Sequence, residues 1–283
     1  MPAKTRPAVV PALPPATVRV ARIEGCDIRI SVRGEGTPLL LIMGIGASLD
    51  MWEPFEAQMS PHGYQLITFD LPGVGASPAK LPPRRMRGLA KIAVGVLDEL
   101  DIHSAFVMGV SLGGGVAQEV GRLVPERVRR LVLAATMPGL GGVPGNPLVT
   151  RHLLTPKRYR DPAFAMRIAG ALYGGDARTN PEAQGSTSLR FRRPPSTYGY
   201  VSQLFAVWGW SSVPYLWRLS VPTLVLAGDD DPLMPMLNAR LMTFLLPHGQ
   251  LAVIEGGGHL FLLDRAAESA QIVQRFLTQD ARA

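Results

Sequence analysis

The chain has 283 residues, 47% of them hydrophobic, and carries 29 Lys and Arg against 22 Asp and Glu, a net charge of +7. This apolar content is enough for a large buried core, which excludes a disordered, collagen-like or disulfide-stapled protein. The one cysteine, Cys26, can form no internal disulfide, which favours a protein of the reducing cytoplasm.

The first 17 residues predict an extended, mobile tail, because they contain five prolines. They also lack the unbroken apolar stretch of a signal peptide. Further along, the longest apolar runs, such as residues 39–43, are far shorter than the roughly 18 residues of a membrane span. The sequence therefore predicts a soluble, cytoplasmic protein with no membrane span.

Two alternating segments follow the tail. Residues 17–23 and 26–33 alternate apolar and polar side chains, as strands with one solvated face do. Glu24 and Gly25 form a two-residue link between them, which is the length of a tight hairpin loop. The fold is therefore predicted to begin with an antiparallel hairpin.

Short apolar runs and helical stretches then alternate along the chain. Five runs end in Gly, Asp or small residues, as buried central strands do: residues 39–43, 65–69, 105–109, 130–134 and 223–227. Three stretches have the apolar spacing of amphipathic helices: residues 88–100, 116–124 and 266–277. This alternation predicts an α/β fold with a mostly parallel, doubly wound sheet.

The alternation is interrupted once, at residues 137–219, which we call the insertion. It holds eleven of the nineteen aromatic residues, and Pro, Gly and Arg replace the strand pattern. We therefore predict a core made of residues 18–136 and 220–283. The insertion is predicted to be a helical cap that covers a site at the carboxyl edge of the strands.

The insertion also carries most of the net charge. Between residues 138 and 217 there are nine basic residues and three acidic ones. No basic helix or ribonucleoprotein-type motif accompanies them, so the sequence predicts a solvated basic face, with binding to an anionic surface or product as the alternative. Nucleic acid is not an expected partner, and the oligomeric state is left open.

A candidate nucleophile follows the predicted strand at residues 105–109. The chain there reads Gly109-Val110-Ser111-Leu112-Gly113, and a helix follows. A serine in such a turn adopts a strained conformation that exposes its hydroxyl above the sheet edge. The turn has no room for side chains two residues before and after the serine, and Gly109 and Gly113 meet this requirement. The pattern predicts Ser111 as the nucleophile.

A serine nucleophile requires a general base and a carboxylate that orients the base. His259 follows three glycines and is predicted as the base, whereas the other four histidines fall in turns, loops or the insertion. Three aspartates, at residues 229–231, follow the predicted strand at residues 223–227. Asp231 is predicted as the orienting carboxylate and the other two as turn-capping residues. Asp70 also ends a strand and is predicted to be structural.

The same chemistry requires backbone N–H groups that bind the oxyanion of the tetrahedral intermediate. The N–H of Leu112, directly after the serine, is predicted as one donor. The loop Gly44-Ile45-Gly46 is predicted to supply the other from Ile45, with Gly46 as the alternative. No metal-ligand spacing and no dinucleotide or phosphate fingerprint is present, so no metal and no cofactor is predicted.

From about residue 18 to residue 277 these features resemble the α/β hydrolase superfamily, in which the chain order is Ser, Asp, His. Segments such as LYGG at residues 172–175 and QLFA at residues 203–206 are similar, more narrowly, to intracellular medium-chain polyhydroxyalkanoate depolymerases. The resemblance implies a catalytic triad of Ser111, Asp231 and His259. The chain departs from the family pattern at Leu112, where Trp is usual, and at Met43, where Asn or His is usual.

The resemblance also implies a substrate: a storage polyester of 3-hydroxy fatty acids, cleaved at the surface of a cytoplasmic granule. The sequence therefore predicts a serine ester hydrolase that acts on this polyester or on medium-chain acyl esters. A general carboxylesterase or lactonase for small soluble esters is the nearest alternative. A hydrolase-fold receptor that binds more than it turns over is another, and an anion- or nucleic acid-binding module built on the insertion is a third.

Overall fold

The computed structural model describes residues 12–180 and 186–279. Residues 1–11 of the predicted tail and residues 181–185 of the insertion lie outside the described residues. The first strand begins at Ala16, so the last two residues of the predicted tail belong to the sheet. Among the described residues, no helix has the length and apolar character needed to cross a membrane.

The described residues form one eight-stranded sheet. Its strands are β1 (Ala16–Ile23), β2 (Cys26–Arg33), β3 (Thr37–Ile42), β4 (Tyr64–Phe69), β5 (Ala105–Val110), β6 (Val128–Ala134), β7 (Thr223–Gly228) and β8 (Gly249–Ile254). Their order across the sheet is β1-β2-β4-β3-β5-β6-β7-β8. β2 pairs antiparallel with β1 and β4, and the other neighbours are parallel. The predicted mostly parallel, doubly wound sheet is confirmed.

Helices pack on both faces of this sheet: α2, α3 and α8 on one face, and α1 and α10 on the other. The α-helices of the described residues are α1 (Glu53–Met59), α2 (Met86–Glu99), α3 (Leu112–Leu123), α4 (Pro147–Thr150), α5 (Pro162–Tyr173), α6 (Ser186–Arg192), α7 (Thr197–Val207), α8 (Met236–Leu245), α9 (Phe261–Asp264) and α10 (Ala266–Thr278). Helices α4 to α7 lie between β6 and β7, within the insertion. The α-helices predicted from apolar spacing correspond to α2, α3 and α10, and α3 begins four residues before its predicted start.

The central strands are buried on both faces. In β3, Leu40 and Ile42 pack into the core beneath α2 and α3, whereas Leu39 and Leu41 pack into the core beneath α1 and α10. All four side chains are fully buried. This explains why the strand is a continuous apolar run in the sequence rather than an alternating one. The first hairpin forms as predicted, and Glu24 and Gly25 in its turn have φ of +49° and +73°, but the predicted alternation is absent from β2, where residues 28–31 are all buried.

A carboxylate is buried in the core beneath α1 and α10, next to the sheet. Glu56 on α1 is 1% exposed, and its Oε2 accepts a hydrogen bond from Arg33 Nε at 3.2 Å. Its Oε1 has no hydrogen-bond partner among the described residues. Burial raises the pKa of Glu56 to about 7, and the nearby Arg33 acts in the opposite direction.

We expect Glu56 to make the fold less stable as the pH rises from about 4.5 to about 7. In this range the unfolded chain releases the proton that the folded chain retains, so the free energy of the unfolded state falls relative to that of the folded state. A pKa shift from 4.5 to about 7 corresponds to about 3 kcal/mol of unfolding free energy. Glutamine does not titrate, so the unfolding free energy of Glu56→Gln, relative to that of the wild type, should increase by about this much between pH 4.5 and pH 7. Urea unfolding at a series of pH values measures this difference.

The matched control for this measurement is Glu126→Gln, which changes a carboxylate at an exposed turn. Its stability relative to the wild type should stay nearly constant over the same pH range. A difference between Glu56→Gln and wild type that does not vary with pH would show that the buried carboxylate is already ionised at low pH.

Candidate active site

Ser111 is the single residue between β5 and α3, and its backbone is strained. Its φ of +56° and ψ of −120° lie outside the regions that residues with a side chain usually adopt. Hydrogen bonds hold this conformation. The Ser111 N–H donates to the Ala134 carbonyl at 3.0 Å, and its carbonyl accepts from the Thr136 hydroxyl at 2.7 Å. The serine is therefore fixed between two parallel strands and the start of a helix.

The glycines on either side of Ser111 are required by close backbone packing. A Cβ atom on Gly109 would lie 2.1 Å from the Gly113 carbonyl oxygen, and one on Gly113 would lie 2.1 Å from the Ile42 carbonyl oxygen. Contacts this short do not occur between a carbon and an oxygen that are not bonded. The predicted need for glycine at both positions is confirmed.

A buried histidine–carboxylate pair lies at the same edge of the sheet. His259 Nδ1 is 2.8 Å from Asp231 Oδ2, and both residues are 7% exposed. The other carboxylate oxygen of Asp231 accepts from the N–H groups of Leu233 at 2.8 Å and Met234 at 3.0 Å. Because these bonds fix the carboxylate, the imidazole is held with Nδ1 toward it, which leaves Nε2 able to accept a proton.

The two neighbouring aspartates have structural partners instead. Asp230 forms an ion pair with Arg178 at 2.7 Å and accepts from the Gly175 N–H at 2.7 Å, so it connects the end of β7 to the insertion. The hydrogen bond from Arg178 lowers the pKa of Asp230. Asp229 accepts from the Gly256 N–H at 2.6 Å. The prediction that these two residues cap the turn is consistent with these bonds.

Asp70 is also engaged by its own turn. It is fully buried, and its carboxylate accepts from the N–H groups of Leu49 at 2.7 Å and Ala76 at 2.9 Å. Arg29 donates to it at 3.3 Å. The prediction that Asp70 is structural is confirmed.

The loop that carries His259 packs directly on the end of α5. The His259 N–H donates to the Tyr173 carbonyl at 2.6 Å. A Cβ atom on Gly258 would lie 2.3 Å from that same carbonyl oxygen, and one on Gly175 would lie 2.2 Å from the Gly258 nitrogen. The LYGG segment of the insertion therefore contacts the histidine loop, which the sequence alone does not indicate.

The loop after β3 lies against the serine. A Cβ atom on Gly44 would be 3.2 Å from the Ser111 Cβ. The Gly46 N–H already donates to Gln203 Oε1 at 2.7 Å, and the Ile45 carbonyl accepts from the Tyr159 hydroxyl at 2.6 Å. Since the Gly46 amide is occupied, Ile45 is the better of the two predicted oxyanion donors. Leu112, the first residue of α3, has an N–H with no acceptor within the helix.

Two cavities meet at Ser111. The first is lined by Ser111, His259 and Ile45, and the second by Ser111, Leu112 and Ile45. Both have mainly apolar walls, and Leu153 and Leu233 line both of them. The structure thus brings Ser111, His259 and Ile45 together in one cavity, places Asp231 behind His259, and places Leu112 on the other side of the serine.

The insertion contributes two buried arginines to the first cavity, which corrects the prediction of a solvated basic face. Arg158 and Arg190 are 2% and 5% exposed and line the cavity with Tyr159 and Tyr173. The other eight Lys and Arg residues of the insertion are exposed, as predicted. The sequence does not single out these two arginines, because composition gives the number of charges and not their location. Gln203 lies in the QLFA segment at residues 203–206. This segment is part of the resemblance to the depolymerases, but the resemblance assigns no role to Gln203.

Comparison with known proteins places this geometry in context. A family model described as the alpha/beta hydrolase fold matches residues 37–266. A poly(3-hydroxyalkanoate) depolymerase from Ectopseudomonas oleovorans is 43% identical over 269 residues, which is 94% of each chain.

Two solved structures show the same fold at lower identity. An enol-lactonase from Burkholderia xenovorans LB400 matches with a TM-score of 0.80 at 22% identity, covering 92% of this chain and all of the other. An esterase from Exiguobacterium antarcticum matches with a TM-score of 0.79 at 21% identity, covering 93% of this chain and all of the other.

Proposed function

The chain belongs to the alpha/beta hydrolase family and is an ester hydrolase, and we propose that Ser111, His259 and Asp231 are its catalytic triad. The observation that carries this proposal is the strained Ser111, which shares a cavity with a histidine bonded to a buried carboxylate. We further propose that the substrate is a hydrophobic polyester of 3-hydroxy fatty acids. The 43% identity to a poly(3-hydroxyalkanoate) depolymerase and the two apolar cavities support this substrate.

The reaction begins at Ser111. His259 Nε2 takes the proton from the Ser111 hydroxyl as its oxygen attacks the ester carbonyl carbon, and Asp231 stabilises the imidazolium that forms. The N–H groups of Leu112 and Ile45 bind the oxyanion. When the intermediate collapses, His259 returns the proton to the leaving alcohol, and the acyl group remains on Ser111. Water, deprotonated by His259, then releases the acid.

The insertion acts as the cap over this site. Its residues bind the oxyanion loop directly, through Tyr159 to Ile45 and through Gln203 to Gly46. This coverage also fits a second candidate function, a carboxylesterase or lactonase for small soluble esters, because an enclosed cavity suits a small substrate.

Release of hydroxy acids from an emulsified medium-chain polyhydroxyalkanoate, assayed beside hydrolysis of a soluble medium-chain nitrophenyl ester, separates the two functions. We expect the wild type to cleave both. Cleavage of the soluble ester alone would assign the protein to the small-ester group, and cleavage of neither would exclude both functions.

An exposed apolar row on the insertion supports action at a polyester surface. Tyr198, Val201 and Phe205 on α7 and Trp208 just beyond it are 40%, 50%, 38% and 74% exposed. Their spacing of three and four residues places them along one face. Arg85 donates to the carbonyls of Phe205 at 3.2 Å and Trp208 at 2.6 Å. We assign this row to docking on the apolar surface of a polyester granule in the cytoplasm.

Replacing part of this row should lower activity on the polymer only. We expect the double variant Val201→Ser, Trp208→Ser to lose roughly tenfold or more in the rate on emulsified polyester, because each apolar side chain that leaves the interface weakens docking. Hydrolysis of the soluble nitrophenyl ester should stay within about twofold of wild type, since neither residue lines the cavities at Ser111.

Phe244→Ser is the matched control for the apolar row, because Phe244 is an 84% exposed aromatic residue on α8, outside the insertion. It should leave both rates unchanged. Equal losses on polymer and soluble ester in the double variant, or an equal polymer loss in the control, would contradict the docking role.

A further inference from the structure

Arg158 and Arg190 are buried in the cavity that holds the proposed nucleophile, and no acidic residue that the structure describes forms an ion pair with either of them. Among the residues that the structure describes, no carboxylate lies within ion-pair distance of either guanidinium, and the Nε group of each has no hydrogen-bond partner. Arg158 Nη1 donates to the Tyr200 hydroxyl, and Arg190 Nη1 donates to the Tyr173 hydroxyl at 2.9 Å. Both are neutral acceptors.

Aromatic rings hold the two guanidinium groups in place. The Arg158 guanidinium lies 4.7 Å from the ring centre of Tyr159, and that of Arg190 lies 4.7 Å from the ring centre of Tyr173 and 5.8 Å from that of Tyr159. Tyr159 therefore contacts both cations. Stacking of this kind offsets part of the cost of burying a cation, but it supplies no negative charge.

The two described acidic residues around Arg190 do not neutralise it. Asp264, on α9, faces Arg190 without forming an ion pair with it, and burial raises the pKa of Asp264 to about 6. Asp176 is paired with Arg265 at 2.9 Å. Two positive charges with no ion-pair partner among the described residues therefore line the cavity that holds Ser111, and the Nε group of each has no acceptor, an arrangement that favours binding of an anion.

The position of the arginines indicates which part of the substrate carries that anion. His259 delivers its proton to the leaving alcohol, and it lines the first cavity but not the second. The alcohol side of the ester therefore occupies the first cavity, with the arginines, and the acyl side extends into the second cavity past Leu112. A leaving group with both a hydroxyl and an anionic end is a hydroxy acid.

We propose that Arg158 and Arg190 bind the free carboxylate of the last unit of the polyester chain or oligomer. This inference rests on the proposed function and adds a direction to it: cleavage occurs at the ester next to the carboxyl end. The bond between the acyl carbon of the preceding unit and the 3-oxygen of the last unit breaks. That oxygen takes the proton from His259, the acyl carbon bonds to Ser111, and one 3-hydroxy acid leaves.

The test uses a matched pair of soluble substrates. One is the ester-linked dimer of 3-hydroxydecanoate with its free carboxylate, and the other is the same dimer with the carboxylate blocked as a methyl ester. Cleavage of the internal ester is followed by quantifying the two halves. We expect the wild type to favour the free acid by roughly 10- to 100-fold in kcat/KM, the range for hydrogen bonds to a charged group.

Removing either arginine should abolish this preference. Arg158→Met and Arg190→Met should lose far more activity on the free acid than on the methyl ester, so that the ratio of the two kcat/KM values falls toward one. Arg167→Met is the matched control, because it removes the same charge from an exposed position on α5 of the insertion, outside the cavity. It should retain the preference of the wild type.

Two outcomes would overturn the carboxylate site: equal activity of the wild type on both dimers, or an undiminished preference in the folded Met variants. In both cases esters are still cleaved, so the proposed function stands. Inactivity on both dimers and on the soluble nitrophenyl ester would instead remove the proposed function.

If the Met variants do not fold, inhibition of the wild-type enzyme by the product tests the carboxylate site instead. 3-Hydroxydecanoate should inhibit roughly tenfold more strongly than its methyl ester, and equal inhibition would overturn the site.

Discussion

Ser111→Ala is expected to lower kcat for ester hydrolysis by roughly 10⁵- to 10⁶-fold, the loss seen when a serine nucleophile is removed from a triad. Without the hydroxyl, no acyl-enzyme forms, and the oxyanion donors of Leu112 and Ile45 can only assist direct attack by water. KM should change little, because the cavities and the oxyanion loop are unaltered. The measurement is the initial rate on a soluble medium-chain nitrophenyl ester, with substrate affinity determined separately.

The control for this variant is Ser202→Ala, which removes a hydroxyl on α7 outside the two cavities at Ser111. It should retain the wild-type rate. Urea unfolding should show that Ser111→Ala is as stable as the wild type, because alanine occupies the same strained backbone with the same Cβ. A folded Ser111→Ala protein with a rate within tenfold of wild type would rule out Ser111 as the nucleophile.

Asp231→Asn is expected to lower kcat by roughly 10⁴-fold with the fold intact. The amide oxygen can still accept from the Leu233 and Met234 N–H groups, as Asp231 Oδ1 does. The amide nitrogen then faces His259 Nδ1 and donates a hydrogen bond to it. This places the imidazole proton on Nε2, so the histidine can no longer accept the proton of Ser111.

The neighbouring aspartates supply two controls of the same size and chemistry. Asp229→Asn and Asp230→Asn change residues that bind Gly256 and Arg178 and do not contact His259. We expect each to stay within several-fold of the wild-type kcat, since the exposed ion pair of Asp230 contributes little to stability. A loss in Asp230→Asn as large as that in Asp231→Asn would show that the orienting carboxylate has been assigned to the wrong residue.

Much of the core fold can be predicted because local rules and tertiary packing agree there. The strand, the turn and the helix around Ser111 follow from an apolar run that ends in Gly109, and the packing around that glycine confirms why no side chain fits. The hairpin turn at Glu24 and Gly25 follows from loop length alone. The contact between His259 Nδ1 and Asp231 Oδ2, at 2.8 Å, agrees with the prediction of this pair from the chain order Ser, Asp, His.

The rest depends on contacts between residues far apart in sequence. Nothing local to Gln203 indicates that its side chain accepts the Gly46 N–H, 157 positions away. The insertion likewise shows an excess of basic residues, but only the packing reveals that Arg158 and Arg190 turn inward between tyrosine rings.

The most direct test of the central claim is to map the site of covalent modification by a fluorophosphonate, which bonds to an activated serine oxygen with loss of fluoride. We expect one adduct per chain, located by peptide mass spectrometry at Ser111, and a loss of esterase activity in proportion to labelling. An adduct at another residue, or full activity in a protein completely labelled at Ser111, would contradict the account.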